Sequence, residues 1–264
     1  MKFSVVVACR NAERFIGRCL ESLVEQQSEN VQVQAIVVDG ASTDGTFDIV
    51  RSFDGRLDEL TASSEPDGGI YEAMNKGLAK ATGDVVSILN ADDWLLPGAM
   101  ERVRLEFEKG DADYLYGSAE RWTGDKVDGI TQPLPRALWP KEIWWQMPLP
   151  HVSLFARKAV YDRLGGFDVR YRIGGDHEWV VRLFESGLPG RELPEWIAAG
   201  LETGGVSGGW ARFPELYRCA RAHGRSPLRC ALRIGRFMAH QLAAQLLPRP
   251  VVQALMRLKR GRFR

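Results

Sequence analysis

The chain has 264 residues, of which 45% are hydrophobic and 26% charged, with a formal charge of +1 and four cysteines. That length buries one large core, or one core plus a small appendage, and implies a compact enzyme-sized protein. No run of about 18 apolar residues occurs, which excludes a bilayer-spanning helix, and the cysteines have neither C-x-x-C spacing nor the density of a disulfide scaffold, which points to a reducing compartment.

Phe3 to Ala8 is an almost unbroken β-branched run, too short for a secretory leader and interrupted by Arg10 and Asn11, so it reads as a first strand. Asn11 to Gln27 then places Phe15, Ile16, Cys19, Leu20, Leu23 and Val24 at helical spacing. Gln34 to Asp39 is a second buried strand that ends at a carboxylate, and the turn-rich Gly40 to Gly45 leads into a helix around Thr46 to Phe53. Leu57 to Ala62 reads as a third strand, Gly69 to Thr82 as a helix, and Val85 to Leu89 as a strand running into Asn90-Ala91-Asp92-Asp93. Such alternation implies an α/β fold with a mainly parallel sheet flanked by helices, whose ligands sit beyond the carboxyl ends of the strands.

From Asp113 to Gly166 the chain is aromatic and punctuated by prolines, which suggests irregular loops and short strands over the sheet. Asp176 to Ser186 reads as a helix, and from about Pro214 the chain is helical and basic. Thirteen bases stand against one acid from Trp210 onward, leaving 22 bases and 33 acids before it, a net −11. In that tail Leu228, Leu232, Gly235, Ala239, Leu242 and Leu246 fall on one helical face beside Arg229, Arg233 and Arg236, and Val251, Leu255 and Leu258 make a second stripe. Apolar side chains interleaved with arginine suit an anionic membrane surface, where each base adds about 1 kcal/mol. Few aromatics accompany them, so nucleic acid is not the expected partner.

Transfer of a sugar from a nucleoside diphosphate needs a grip on the nucleoside, a cation on the leaving diphosphate and a base for the acceptor hydroxyl. Asn90-Ala91-Asp92-Asp93 follows a strand and sits in a turn, where short carboxylates can reach Mg²⁺ or Mn²⁺. Asp39 lies at a strand end where it can accept hydrogen bonds, while Asp44 reads as a helix cap or turn residue.

The opening strand with Ala8, the Val38-Asp39-Gly-Ala-Ser42-Thr-Asp44-Gly-Thr turn, the run from Glu65 to Gly77 and the run from Ala81 to Leu95 together resemble family 2 glycosyltransferases. With later motifs the resemblance covers approximately residues 3–210. It implies a catalytic domain over residues 1–210 with the glycosyltransferase A-type fold: a nucleotide-sugar-binding half, 1–100, and an acceptor half, 101–210. The basic tail, 211–264, follows. It further implies donor contacts from Ala8, Arg10, Asn11, Asp39, Ser42, Asp67, Asn75, Lys76, Asn90, Ala91 and Asp92, with Asp39 at the uracil-contacting position and Asp92 as the ligand of a divalent metal, Mn²⁺ or Mg²⁺. Ile173 to Trp179 occupies the place of the catalytic-base motif, which assigns Asp176 as general base, with His151, Gly175 and His177 on the acceptor side. The loop Gly204-Gly205-Val206-Ser207 resembles one that covers the donor diphosphate.

Three positions depart from the family pattern. The usual Asp-Asp is Asp39-Gly40, the first acid of D-x-D is Asn90, and glycine stands at 175 where Glu is frequent. The resemblance thus implies an inverting transferase working from a nucleotide-sugar, a UDP-sugar foremost, to a saccharide or lipid-linked saccharide in surface polysaccharide biosynthesis. Its expected place is cytoplasmic, peripheral on the inner membrane face. The alternatives are a catalytically impaired nucleotide-sugar-binding relative and a non-catalytic protein that binds anionic surfaces. A glycine-rich basic loop or G-x-G-x-x-G after the first strand would instead mark a nucleotidyltransferase or a dinucleotide oxidoreductase, and neither is present.

Overall fold

The computed structural model of the protein describes residues 1–202 and 209–246. The loop Gly204 to Ser207 and the second stripe of Val251, Leu255 and Leu258 lie outside the described residues. The chain divides into two compact units, Met1–Ser207 and Gly208–Arg264.

The first unit is built on a nine-stranded mixed sheet ordered β3-β2-β1-β4-β8-β6-β9-β5, with β7 paired to β6. The β-branched runs become β1 (Lys2–Cys9), β2 (Gln32–Asp39) and β4 (Val85–Asn90), and β3 is Glu59–Ser64. These four strands are parallel, and each of β1, β2 and β4 is buried along nearly its whole length, as a strand covered on both faces requires. Between them run α1 (Ile16–Val24), α2 (Thr46–Arg51) and α3 (Ile70–Leu78). α1 turns Ile16, Cys19, Leu20 and Leu23 into the core, the face that its 3.6-residue spacing dictates.

Beyond β4 the sheet changes direction. β8 (Leu154–Arg157) pairs antiparallel with both β4 and β6 (Tyr114–Thr123), and β6 pairs antiparallel with β7 (Lys126–Thr131). β9 (Gly190–Glu202) lies parallel to β6, and β5 (Trp94–Leu95) closes its far side. The aromatic stretch is therefore more regular than its prolines suggested. Tyr114, Leu115, Tyr116 and Ala119 are buried, and Tyr114 and Tyr116 stack with ring centroids 6.1 Å apart. α4 (Ala99–Glu108), the four-residue α5 (Trp139–Glu142), α6 (Lys158–Leu164) and α7 (Gly175–Glu185) complete this unit. In the second unit α8 (Arg212–Ala222) packs with α9 (Pro227–Leu246).

A polar network fixes the amino ends of the parallel strands. Gln34, 2% exposed, accepts a 2.5 Å hydrogen bond from Ser4 Oγ and a 3.0 Å bond from Thr82 N–H, and donates to Glu59. Ser4 Oγ in turn accepts the Gly83 N–H at 2.8 Å. Every group in the cluster has a partner, so it sets register without leaving an orphan. Replacing Gln34 by Leu strands these groups at about 1–3 kcal/mol each. We expect Gln34→Leu to lower the thermal midpoint by several degrees in a melting experiment while leaving activity per folded molecule unchanged, because the network is at the end of the sheet away from the ligand-binding edge.

Candidate active site

The parallel strands end in register. Cys9 stands opposite Asp39, Asp39 opposite Ser64, and Ala8 opposite Asn90, so the loops after β1, β2, β3 and β4 share one edge. Two strand spacings, about 10 Å, separate the Asp39 row from the Asn90 row.

Asp39 is fully buried, and its carboxylate accepts hydrogen bonds from Ser42 N–H at 3.0 Å, the Ser42 hydroxyl, Ser64 Oγ at 2.5 Å and Cys9 Sγ at 3.7 Å. Burial, then the Asp39 charge, pushes the Cys9 thiol up to about 12, so it stays a donor to Asp39. Asp39 thus organises the edge from beneath. The β1 and β2 loops are further cross-bonded: Asn11 N–H donates to Ser42 Oγ at 2.7 Å, Thr43 N–H to Asn11 Oδ1 at 2.9 Å, and Ala12 N–H to Thr46 Oγ1 at 2.7 Å. Asn11 and Ala41 take left-handed backbone angles, φ 50° and 54°, to make this junction. Asp44 accepts from Thr46 and from the Glu13 N–H, which holds its carboxyl below the usual range and fixes the turn before α2, whose N-cap is Gly45.

The carboxylate that reaches the surface of this edge is Asp67, which is half-buried. Its carboxylate lies over Gly40: a Cβ there would come 2.7 Å from Asp67 Oδ2 and 3.5 Å from the Arg10 side chain.

At the end of β4 the Asn90 amide donates to Asp93 Oδ2 at 2.8 Å, with Asp93 1% exposed and Asp92 partly exposed. Asp93 is thereby a support and Asp92 the accessible acid. No group of three or more His, Cys, Asp or Glu gathers for a metal among the described residues. One accessible carboxylate beside an amide oxygen is nevertheless a hard-oxygen donor set that fits Mg²⁺ or Mn²⁺ shared with a diphosphate, which supplies further oxygens.

The run from Pro66 to Gly77 joins this edge to the acceptor half. Asn75 Nδ2 donates to Phe167 O at 2.8 Å and Phe167 N–H donates to Asn75 Oδ1 at 2.7 Å. Both ends of the amide are engaged with backbone, so Asn75 clamps α3 to the turn before α7. Lys76 pairs with Glu65 at 2.9 Å and Glu72 at 3.2 Å. Tyr71, 5% exposed, places its hydroxyl 2.6 Å from Ile173 O and 3.1 Å from Asp176 Oδ1. Burial, then the Asp176 charge, raises the phenol well above its usual range, so it remains protonated.

Asp176, in the first turn of α7, is partly exposed, and Oδ1 also accepts the His177 N–H at 2.8 Å. Gly175 is a necessity of packing: a Cβ there would lie 2.8–2.9 Å from three carbons of the Tyr71 ring. Tyr71 was missed by sequence reasoning because an aromatic at a helical core position carries no separate signal.

Two acceptor-side expectations separate. His151 stacks edge-on to Phe167 at 6.0 Å and feels the Asp176 charge, but burial dominates and holds its imidazole below the usual range. The His177 ring is buried, with Nε2 2.5 Å from the Ile143 carbonyl. A cleft of 210 Å³ opens beside Tyr71, lined by Gly68, Gly69, Glu72, Val169, Tyr171 and Arg172 as well.

Residues 4–165 match the model of "Glycosyl transferase family 2". A "PGL/p-HBAD biosynthesis glycosyltransferase" of Mycobacterium bovis is 30% identical over 209 residues, 78% of this chain and 78% of the relative. Among solved structures, S. aureus TarS in complex with UDP-GlcNAc superposes with a TM-score of 0.69 at 20% identity, covering 90% of this chain and 72% of that one. A mannosyltransferase from Pyrobaculum calidifontis in complex with GDP-Man and Mn2+ superposes with a TM-score of 0.63 at 20% identity, covering 98% and 79%. The last two establish likeness of fold.

The packing of Gly175 against Tyr71 gives a direct test. Gly175→Ala overpacks a buried ring, which costs about 1–3 kcal/mol. We expect a lower denaturation midpoint together with reduced turnover, and an unchanged midpoint would show that the ring does not fill that space.

Proposed function

The chain belongs to glycosyl transferase family 2 and is a glycosyltransferase, and we propose that it moves a sugar from a UDP-sugar to a hydroxyl of a saccharide or lipid-linked saccharide with inversion. The observation that carries this reading is that Asp176 is tied by Tyr71 to the helix behind the Asp67 turn, so the base and the donor edge share one frame.

In this reading the nucleoside lies over the junction of Ala8, Arg10, Asn11 and Ser42, with Asp67 facing it and Asp39 bracing the loops below. Asn90, Ala91 and Asp92 border the diphosphate, and Asp92 would hold the Mn²⁺ or Mg²⁺. That cation, when bound, neutralises charge on the departing diphosphate. Asp176 accepts the proton of the acceptor hydroxyl as its oxygen attacks the anomeric carbon from the side opposite the leaving group. One displacement inverts the centre, and no nucleophile on the enzyme is required. A role in surface polysaccharide biosynthesis is part of the proposal.

The second unit supports a peripheral site of action on the cytoplasmic face of the membrane. Leu228, Leu232 and Leu242 on α9 are 69%, 63% and 48% exposed, with Arg229 and Arg236 exposed beside them, while Cys230 and Ile234 turn inward. No helix among the described residues is long and apolar enough to cross a membrane. Apolar side chains among bases can insert between anionic headgroups.

Two measurements test the proposal. A UDP-sugar with Mn²⁺ should raise the melting point more than GDP- or dTDP-sugars, because a donor binds the folded state alone, and Asp176→Asn should keep that shift and lose transfer. Loss of both would move the base elsewhere. Vesicles containing phosphatidylglycerol should sediment the full chain at low salt far better than phosphatidylcholine vesicles. Leu228→Ser with Leu232→Ser should release it, and equal binding to neutral vesicles would refute the anionic contact.

A further inference from the structure

The Tyr71 hydroxyl has two oxygen neighbours and one proton. Ile173 O lies 2.6 Å away and Asp176 Oδ1 3.1 Å away, and neither can donate while Asp176 is ionised. Asp176 Oδ1 thus faces two donors, Tyr71 O–H and the His177 N–H at 2.8 Å, whereas Oδ2 has no hydrogen bond from the protein among the described residues. Oδ2 is therefore the oxygen left for an acceptor hydroxyl.

We propose that Tyr71 is a positioning residue for Asp176, its single proton turning toward Oδ1 while the carboxylate is charged and back to the Ile173 carbonyl once Oδ2 is protonated. This rests on the reading of Asp176 as the base. The balance is complete. The acceptor O–H bond breaks and an O–H bond forms at Oδ2; the acceptor oxygen bonds the anomeric carbon, and the bond to the diphosphate breaks with its electron pair. Charge at Oδ1 then falls, and the Ile173 carbonyl becomes the better partner for the phenol. The ring cannot follow the proton, because Gly175 and Phe167 pack against it, with the Phe167 centroid 5.7 Å away. The hydroxyl rotates while its oxygen stays fixed.

Tyr71→Phe keeps the ring and removes the proton, leaving Oδ1 with the His177 N–H as its donor among the described residues. It should lower kcat about tenfold to a hundredfold, the range for a hydrogen bond to a charged group. Donor KM and the donor-induced melting shift should hold. A fluorinated tyrosine at position 71, which keeps both ring and hydroxyl, should hold kcat near that of the unaltered chain and keeps the test alive if Tyr71→Phe folds poorly.

Combined with Asp176→Asn, Tyr71→Phe should add nothing further to the loss, since it acts through that carboxylate. A kcat that holds in Tyr71→Phe, or a loss confined to KM, would reduce Tyr71 to packing while leaving Asp176 as base. Transfer that survives Asp176→Asn would instead refute the base itself.

Discussion

The two hydrogen bonds between the Asn75 amide and the Phe167 backbone hold the catalytic unit in working shape. Asn75 belongs to the helix that follows the Asp67 turn, and Phe167 to the turn that precedes α7. Around Phe167 pack Tyr71 at 5.7 Å, His151 at 6.0 Å and Trp179 at 6.0 Å, with Tyr161 stacked on Trp179 at 4.4 Å. Arg182 on α7 donates to Leu164 O and Gly166 O at 2.7 Å each, so the same turn is gripped from its other side. An amide satisfied at both ends in a part-buried setting fixes one geometry, and loss of either partner leaves the other stranded. The separation of Asp176 from the donor edge is set here, not by Asp176 itself.

Much of the donor half was legible because its physics is local. A strand covered on both faces reads as a β-branched run, as β1, β2 and β4 do, and a turn of Gly, Ser, Thr and Asp announces the following helix. α4 escaped because Glu101, Arg102, Arg104, Glu106 and Glu108 crowd its sequence and leave a sparse stripe of Met100, Val103 and Phe107. β6 and β9 escaped for another reason. Their pairing joins segments some 76 residues apart, Tyr114 with Gly190, and Pro194 interrupts the strand pattern of β9. The motif residues were found by resemblance, whereas their division of labour was not. Asp39 and Asp67 look alike in sequence; burial makes one a brace and the other a surface acid. Tyr71 meets Asp176 across a separation of 105 residues, which no periodicity reports.

The glycines at 40 and 175 each lie against a side chain from the segment that opens α3, Gly40 against Asp67 and Gly175 against Tyr71. The two cases differ in kind. At 40 the neighbour is the tip of a half-buried carboxylate that can move aside, whereas at 175 it is the ring of a buried tyrosine, so a larger residue at 175 would overfill the site.

The acids of this edge set its charge. The residues before Trp210 carry a net −11, and the edge itself presents Asp67 and Asp92, both partly exposed. Lys76 adds little positive field, since Glu65 and Glu72 pair with it, and Arg10 is the base that adjoins Gly40. A sugar diphosphate brings negative charge of its own into this field, so its approach costs free energy unless a divalent ion inverts the local sign. The amide at Asn90 lowers that repulsion by removing one of the family's acids, and it does so by turning its donor toward buried Asp93. Asp92 is thereby left as the accessible acid of this turn.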